Sequence, residues 1–325
     1  MSDRNQSFAD ERGRDARWPS QIPARGWKDI AWRVWSEIGE DRILLIAAGV
    51  TYYLLLALFP ALAAFVSLYG IFADPATVAD HIALLQGVLP SAGIAIIEQQ
   101  LDSLASQDQQ ALGIGFAIGL AVALWSTNGG VKSLFEAMNI AYDETEKRGF
   151  IRLNLLSLAF TLGAILITIG FILIIGVIPA VLAYLNLTRQ AEQMIEILRW
   201  PVLLIMILTG IALLYRFGPS RERAKWRWLS WGAVFATLVW LAASWAFSFY
   251  LQNFADYNAT YGSLGAIIGL MVWIWISVTV LIIGAEINAE TEHQTMQDST
   301  TGAPEPMGER GAVVADTVGE PADKR

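Results

Sequence analysis

The 325-residue chain has no cysteine, two histidines and only 16% charged residues. Without cysteine there can be no disulfide, thiolate metal site or cysteine nucleophile. His81 and His293 stand far apart, and no H-E-x-x-H pair or other ligand cluster surrounds either one. A soluble domain carries about 25% charge, so the deficit argues against an ordinary cytoplasmic enzyme. The net charge of -8 leaves little concentrated basic surface for a nucleic-acid backbone. Gly113-Ile114-Gly115 lies in an apolar run with no Gly-Lys-Ser/Thr behind it, and Gly129-Gly130 before Lys132 lacks the rest of a phosphate loop. A Gly-x-Ser-x-Gly elbow is also missing. The reading is therefore of no catalytic, metal or cofactor site, and of a protein that is not an enzyme.

What the chain has is apolar length. Hydrophobic residues make up 55% of it, with mean hydropathy +0.46. Apolar spans run at about 43–72, 112–135, 153–185, 198–215, 229–251 and 264–285, the second uncharged to Ser126 and continuing to Phe135 through polar residues and Lys132. About 20 helical residues cross a hydrocarbon core of roughly 30 Å. The expected fold is all-α, a polytopic helical bundle of six transmembrane helices spanning 43–290. Basic residues alternate between the connecting segments: eight in 1–42, none in 73–111, four in 127–152, two in 186–199, five in 216–228, none in 252–263 and three in 286–325. The positive-inside bias then places both termini in the cytoplasm. Ile82–Ile97 is short and broken by Gly87, Pro90 and Gly93, and reads as an external amphipathic or re-entrant segment.

Residues 1–26 are expected to be disordered. Residues 27–42 form an amphipathic helix, with Trp27, Ile30, Val34, Trp35 and Ile38 on one face and Lys28, Asp29, Arg33 and Glu37 between them. It suits either a membrane interface or packing against the spans' inner ends. Residues 291–325, rich in Gly, Pro, Thr and acids, read as a disordered acidic tail.

Polar residues near span ends are the candidate site. Thr51, Tyr52 and Tyr53 line a cavity or pack within the bundle. Asn128, Lys132, Glu136 and Asn139 follow the second span, with Lys132 and Glu136 spaced for an ion pair. Arg216, Glu286 and Asn288 lie at the same membrane side. Together they form either a vestibule for an anion or a clasp in which Arg216 pairs with Glu286 or Glu136. The 216–228 basic cluster is an anchor or a site for anionic lipid headgroups. Gly265 and Gly269 form a G-x-x-x-G pair suited to close helix packing.

Four stretches carry a resemblance: Ala48–Pro60, Trp125–Tyr142 with Glu144, Leu214–Pro219, and Tyr261–Gly265 leading to Gly284–Ala289. With these, the chain resembles the YihY/virulence factor BrkB family of bacterial inner-membrane proteins over about residues 30–292. The resemblance implies a six-span, multi-pass inner-membrane protein of unassigned activity. Members have been associated with serum resistance and with export of lipid or envelope components, and were once labelled ribonuclease BN. The last label fits poorly, since RNA hydrolysis needs metal ligands or an acid/base pair in a basic aqueous groove. Two functions are carried forward: transport or handling of lipid or another envelope component, and a non-transporting scaffold in envelope assembly. The expected partners are membrane lipids, with anionic headgroups in view, and envelope proteins or a second copy of the chain. Nucleic acid is not among them.

Overall fold

The computed structural model describes residues 11–70, 114–177, 189–253 and 265–324. Among them the architecture is all-α: α1 (Ala24–Glu40), α2 (Ile43–Gly70), α3 (Ile114–Ala141), α4 (Phe150–Ile172), α5 (Arg189–Phe217), α6 (Trp226–Asn253), α7 (Gly265–His293) and the single turn α8 (Val313–Asp316). The Ile82–Ile97 segment lies outside the described residues.

By length and composition, four stretches can cross a membrane: Phe150–Ile175, Gln193–Phe217, Trp226–Leu251 and Ile267–His293. A fifth is gained if α1 and the start of α2, bent by 61°, count as one broken span. The described residues therefore give four or five apolar spans rather than the expected six. The two long helices outside the four, α2 and α3, border the undescribed stretch 71–113, and α3 turns polar from Ser126 onward. Large apolar side chains on α4, α5 and α6 point outward, among them Leu166, Ile205 and Trp245. That surface suits lipid.

Among the described residues the largest buried side chains gather at one end of the bundle. Phe135, Met138 and Tyr142 from the end of α3 pack with Tyr215, Leu229 and Ile282, all almost fully buried. Helix α7 is the hub and touches α1, α2, α3, α6 and α8. Helix α6 binds it through two tryptophans: Trp240 donates to Ser277 Oγ (2.9 Å) and Trp273 to Ser244 Oγ (3.1 Å). Such bonds satisfy indole N–H groups where water is absent.

Among the described residues a close glycine contact lies outside the sequence motif. At Gly269 a Cβ would meet nothing within 4 Å among the described residues. Gly232 and Gly284, one on each of α6 and α7, are the close approach. A Cβ at Gly232 would collide with Gly284 O and come within 2.6 Å of Asn288 Cγ; one at Gly284 would collide with Tyr215 Oη.

The ends also depart from expectation. Helix α1 turns Gly26, Asp29, Ile30, Arg33 and Val34 inward and packs on the end of α7. Asp29 and Arg33 thus belong to its buried face rather than its polar one. The break to α2 is a left-handed residue, Arg42 (φ 52°). Residues 11–26 and 291–324, read as disordered, are folded against each other. Arg14 donates to Gln294 O (3.1 Å) and Gly319 O (2.6 Å), and Thr295 Oγ1 donates to Ala16 O (2.7 Å). An antiparallel bridge joins Ala224 to Thr300. The physical reason is hydrogen bonding. This segment gains partners through backbone and charged groups, which leave no apolar period in the sequence.

Candidate functional site

The folded ends cap the same end of the bundle where α3, α5 and α7 finish and α4 and α6 begin. The cap is fastened by buried ion pairs. Arg33 pairs with Glu290 and also donates to Glu290 O (3.1 Å) and Gln294 Oε1 (2.8 Å). Arg221 reaches Glu292 at 2.7 Å, both almost fully buried, and lies 5.0 Å from the ring centre of Tyr142. Burial works against the Arg221 charge, but Glu292 and Tyr142 more than offset it and hold its pKa above the ordinary value. Burial pushes the Tyr142 hydroxyl well above its usual range.

The loop between α3 and α4 is organised by Asn139. Its Oδ1 accepts from Ser220 N (2.7 Å) and its Nδ2 donates to Glu146 Oε2 (3.3 Å). Burial raises the Glu146 pKa, yet hydrogen bonds from Arg148 and Asn139 outweigh it and bring the carboxyl down to about 2. Arg148 spends its remaining donors on Phe217 O and Gly218 O, tying the start of α4 to the end of α5.

The candidate residues separate into distinct places. Thr51 donates to Ala47 O of its own helix (2.7 Å). Tyr52 and Tyr53 are exposed and meet edge to face at 5.6 Å. Lys132 and Asn128 both donate to Asn154 Oδ1, at 2.6 and 3.0 Å. Lys132 thus takes Asn154 as its partner rather than Glu136, which is exposed. Asn288 accepts from Gly232 N (2.8 Å), and Glu286 is buried beside Asp41. Arg216 pairs with neither Glu286 nor Glu136 among the described residues. It donates to Ala224 O (2.5 Å) and lies over Trp226, 4.4 Å from the ring centre. The expected clasp is therefore made by other residues, Arg33 with Glu290 and Arg221 with Glu292. The sequence did carry Glu290 and Glu292, but nothing in it shows that their partners are Arg33 of the amphipathic helix and Arg221 of the basic loop. Asn154, Arg152 and the tail were missed, and no motif marks them.

What Arg216 does face is a groove of about 1210 Å³. One lip is the start of α4, where Phe150, Ile151 and Leu155 are 72%, 74% and 64% exposed. Arg152, Arg216 and Arg223 line it, and none has a carboxylate partner among the described residues. Arg216 and Arg223 instead lie over the Phe217 ring, at 5.8 and 5.0 Å. The far wall is the tail, with Thr301, Glu305, Glu309 and Arg310. A groove with unpaired guanidiniums beside an apolar lip can receive a group that is anionic at one end and greasy at the other. Among the described residues no group of acids and histidines is arranged to hold a metal ion.

The long apolar helices and outward apolar faces define a multi-pass membrane protein of the all-α class. The particular family follows from sequence: the virulence factor BrkB family matches residues 34–308, and the chain belongs to it. A Bacillus subtilis protein named as ribonuclease-like, YfkH, is 32% identical over 75% of this chain and 88% of its own length. UPF0761 membrane proteins of Aeromonas salmonicida (28% identical; 79% of this chain, 86% of the relative) and Idiomarina loihiensis (26%; 66% and 73%) are also similar. No solved structure matches. The assignment places the protein in the bacterial inner membrane.

Proposed function

We propose that this protein handles a membrane lipid or lipid-like envelope component, taking its phosphate headgroup into the groove between α4, α5 and the tail. The observation that carries this reading is the trio Arg152, Arg216 and Arg223. Among the described residues none of these cations forms an ion pair, and they stand beside exposed Phe150 and Ile151. Phosphate oxygens are strong acceptors for guanidinium, and an apolar lip gives an acyl chain somewhere to lie. The reading concerns binding and movement, not chemistry performed on the lipid. The ribonuclease-like name of YfkH is not carried over, because an apolar lip suits an acyl chain better than RNA.

In this reading helices α2 to α7 each cross the membrane, six times in all. The polar half of α3 is tolerable because it packs against α2 and α4. Both chain ends and the groove then face the cytoplasm, where the basic segments place them.

The test of function is lipid retention. Arg152→Gln with Arg223→Gln should leave the melting temperature of the purified protein unchanged, since neither side chain holds the cap together. Co-purifying phospholipid, counted by native mass spectrometry, should fall roughly tenfold, equivalent to about 1.4 kcal/mol. Unchanged lipid in the folded double variant would leave the arginines as surface anchors and return the scaffold reading. Topology is tested separately. With no native cysteine, Thr145→Cys should be labelled by an impermeant thiol reagent only after the membrane is opened, and Ser106→Cys in intact spheroplasts. The reverse pattern would invert the orientation.

A further inference from the structure

The groove's two walls differ in sign. Arg152, Arg216 and Arg223 stand on the α4 and α5 side, while Glu305 and Glu309 stand on the tail side. Among the described residues neither of those carboxylates forms an ion pair or a side-chain hydrogen bond. Glu222, which also lines the groove, is 3.4 Å from Thr301 Oγ1.

The tail wall is built rather than loose. Arg310 is 6% exposed and uses its guanidinium on three backbone carbonyls: Glu305 O (3.1 Å), Ala315 O (2.7 Å) and Met296 O (2.9 Å). Asp298 accepts from Glu305 N (3.1 Å). Glu222 N donates to Gly311 O, and Thr301 N to Arg223 O. The backbone bearing Glu305 and Glu309 is therefore fixed against the basic loop.

We infer that the ligand of this groove is an amine-bearing phospholipid, a headgroup with one phosphate and a primary ammonium of the phosphoethanolamine kind. The inference rests on the groove being a lipid site, and it names which lipid. The groove offers an apolar lip, arginines and, on a tail hydrogen-bonded to the basic loop, carboxylates. The order along such a lipid is acyl chain, phosphate, ammonium. A purely anionic headgroup would satisfy the arginines but bring its charge towards two unneutralised glutamates. A choline headgroup would offer a positive charge with no N–H to donate. A primary ammonium offers three donors to the two carboxylates and leaves the phosphate to the arginines.

The test uses the full chain in detergent, titrated with short-chain phosphatidylethanolamine, phosphatidylcholine or phosphatidylglycerol and read by native mass spectrometry. The ethanolamine lipid should be retained roughly tenfold better than either other lipid. Glu305→Gln with Glu309→Gln should erase that advantage, leave phosphatidylglycerol retention equal or stronger, and not alter the melting temperature. Equal retention of all three lipids by the wild-type protein overturns the inference, as does a preference that survives the double substitution. In either case the lipid reading itself stands. If no lipid is retained, both fall together.

Discussion

Gly284→Leu is expected to prevent recovery of folded protein, whereas Gly269→Leu should be close to neutral. At Gly284 the neighbouring atoms are Tyr215 Oη, Ala236 Cβ at 2.8 Å and Gly232 O at 2.9 Å. Two of these belong to α6 and the third anchors α5, since Tyr215 Oη donates to Leu281 O (2.8 Å). A side chain here must push apart three helices at the centre of the core. Ordinary overpacking costs about 1–3 kcal/mol. A clash with backbone cannot relax by rotamer change, so the loss should exceed about 3 kcal/mol, the top of that range. Gly269 is buried too, but among the described residues a Cβ there would meet nothing within 4 Å. Thermal unfolding in detergent distinguishes the two positions. Equal melting of both variants would mean that α6 and α7 do not meet through Gly232 and Gly284.

The second large effect is expected at the pair Arg221 and Glu292. Arg221→Gln leaves the Glu292 carboxylate, with 0% of its side chain exposed, facing Tyr142 without its cation. Removing one partner of a buried pair typically costs about 3–5 kcal/mol, because the remaining charge stays desolvated. Replacing both, as Arg221→Met with Glu292→Leu, should recover much of the loss by removing the stranded charge. A single variant that melts like the wild type would show that solvent reaches the pair and that the cap is looser than its geometry indicates.

Much of the bundle was legible because apolar runs announce themselves. Helices α4 to α7 lie where those runs lie, and Arg216-Phe217-Gly218-Pro219 ends α5 as its glycine and proline require. The close helix contact was not legible. Gly265 and Gly269 satisfy a motif within one helix, but the contact between Gly232 and Gly284 takes one glycine from each of two helices, and a single sequence does not show which glycines will face each other. The cap escaped for a different reason. Arg14, Arg33 and Arg310 organise it through carbonyls and carboxylates, and polar bonding of this kind has no period to detect. The candidate site was half visible. Arg216 and its basic loop stood out by charge, while the tail that completes the groove had the composition of a disordered segment.

The cap also bears on how the molecule is made. Arg14 bonds to Gln294 O, 280 positions further on, and Arg33 pairs with Glu290, 257 positions further on. A ribosome releases the first of these groups long before it reaches their partners. Through most of synthesis the arginines of the leading segment must stay hydrated or lie against lipid phosphates, and they close on the tail only when α7 has left the translocon. Emergence of the end of α7 is then registered at Arg14 and Arg33. A truncated product would keep its membrane helices but present uncovered arginines, the kind of exposed flaw on which membrane quality-control proteases can act.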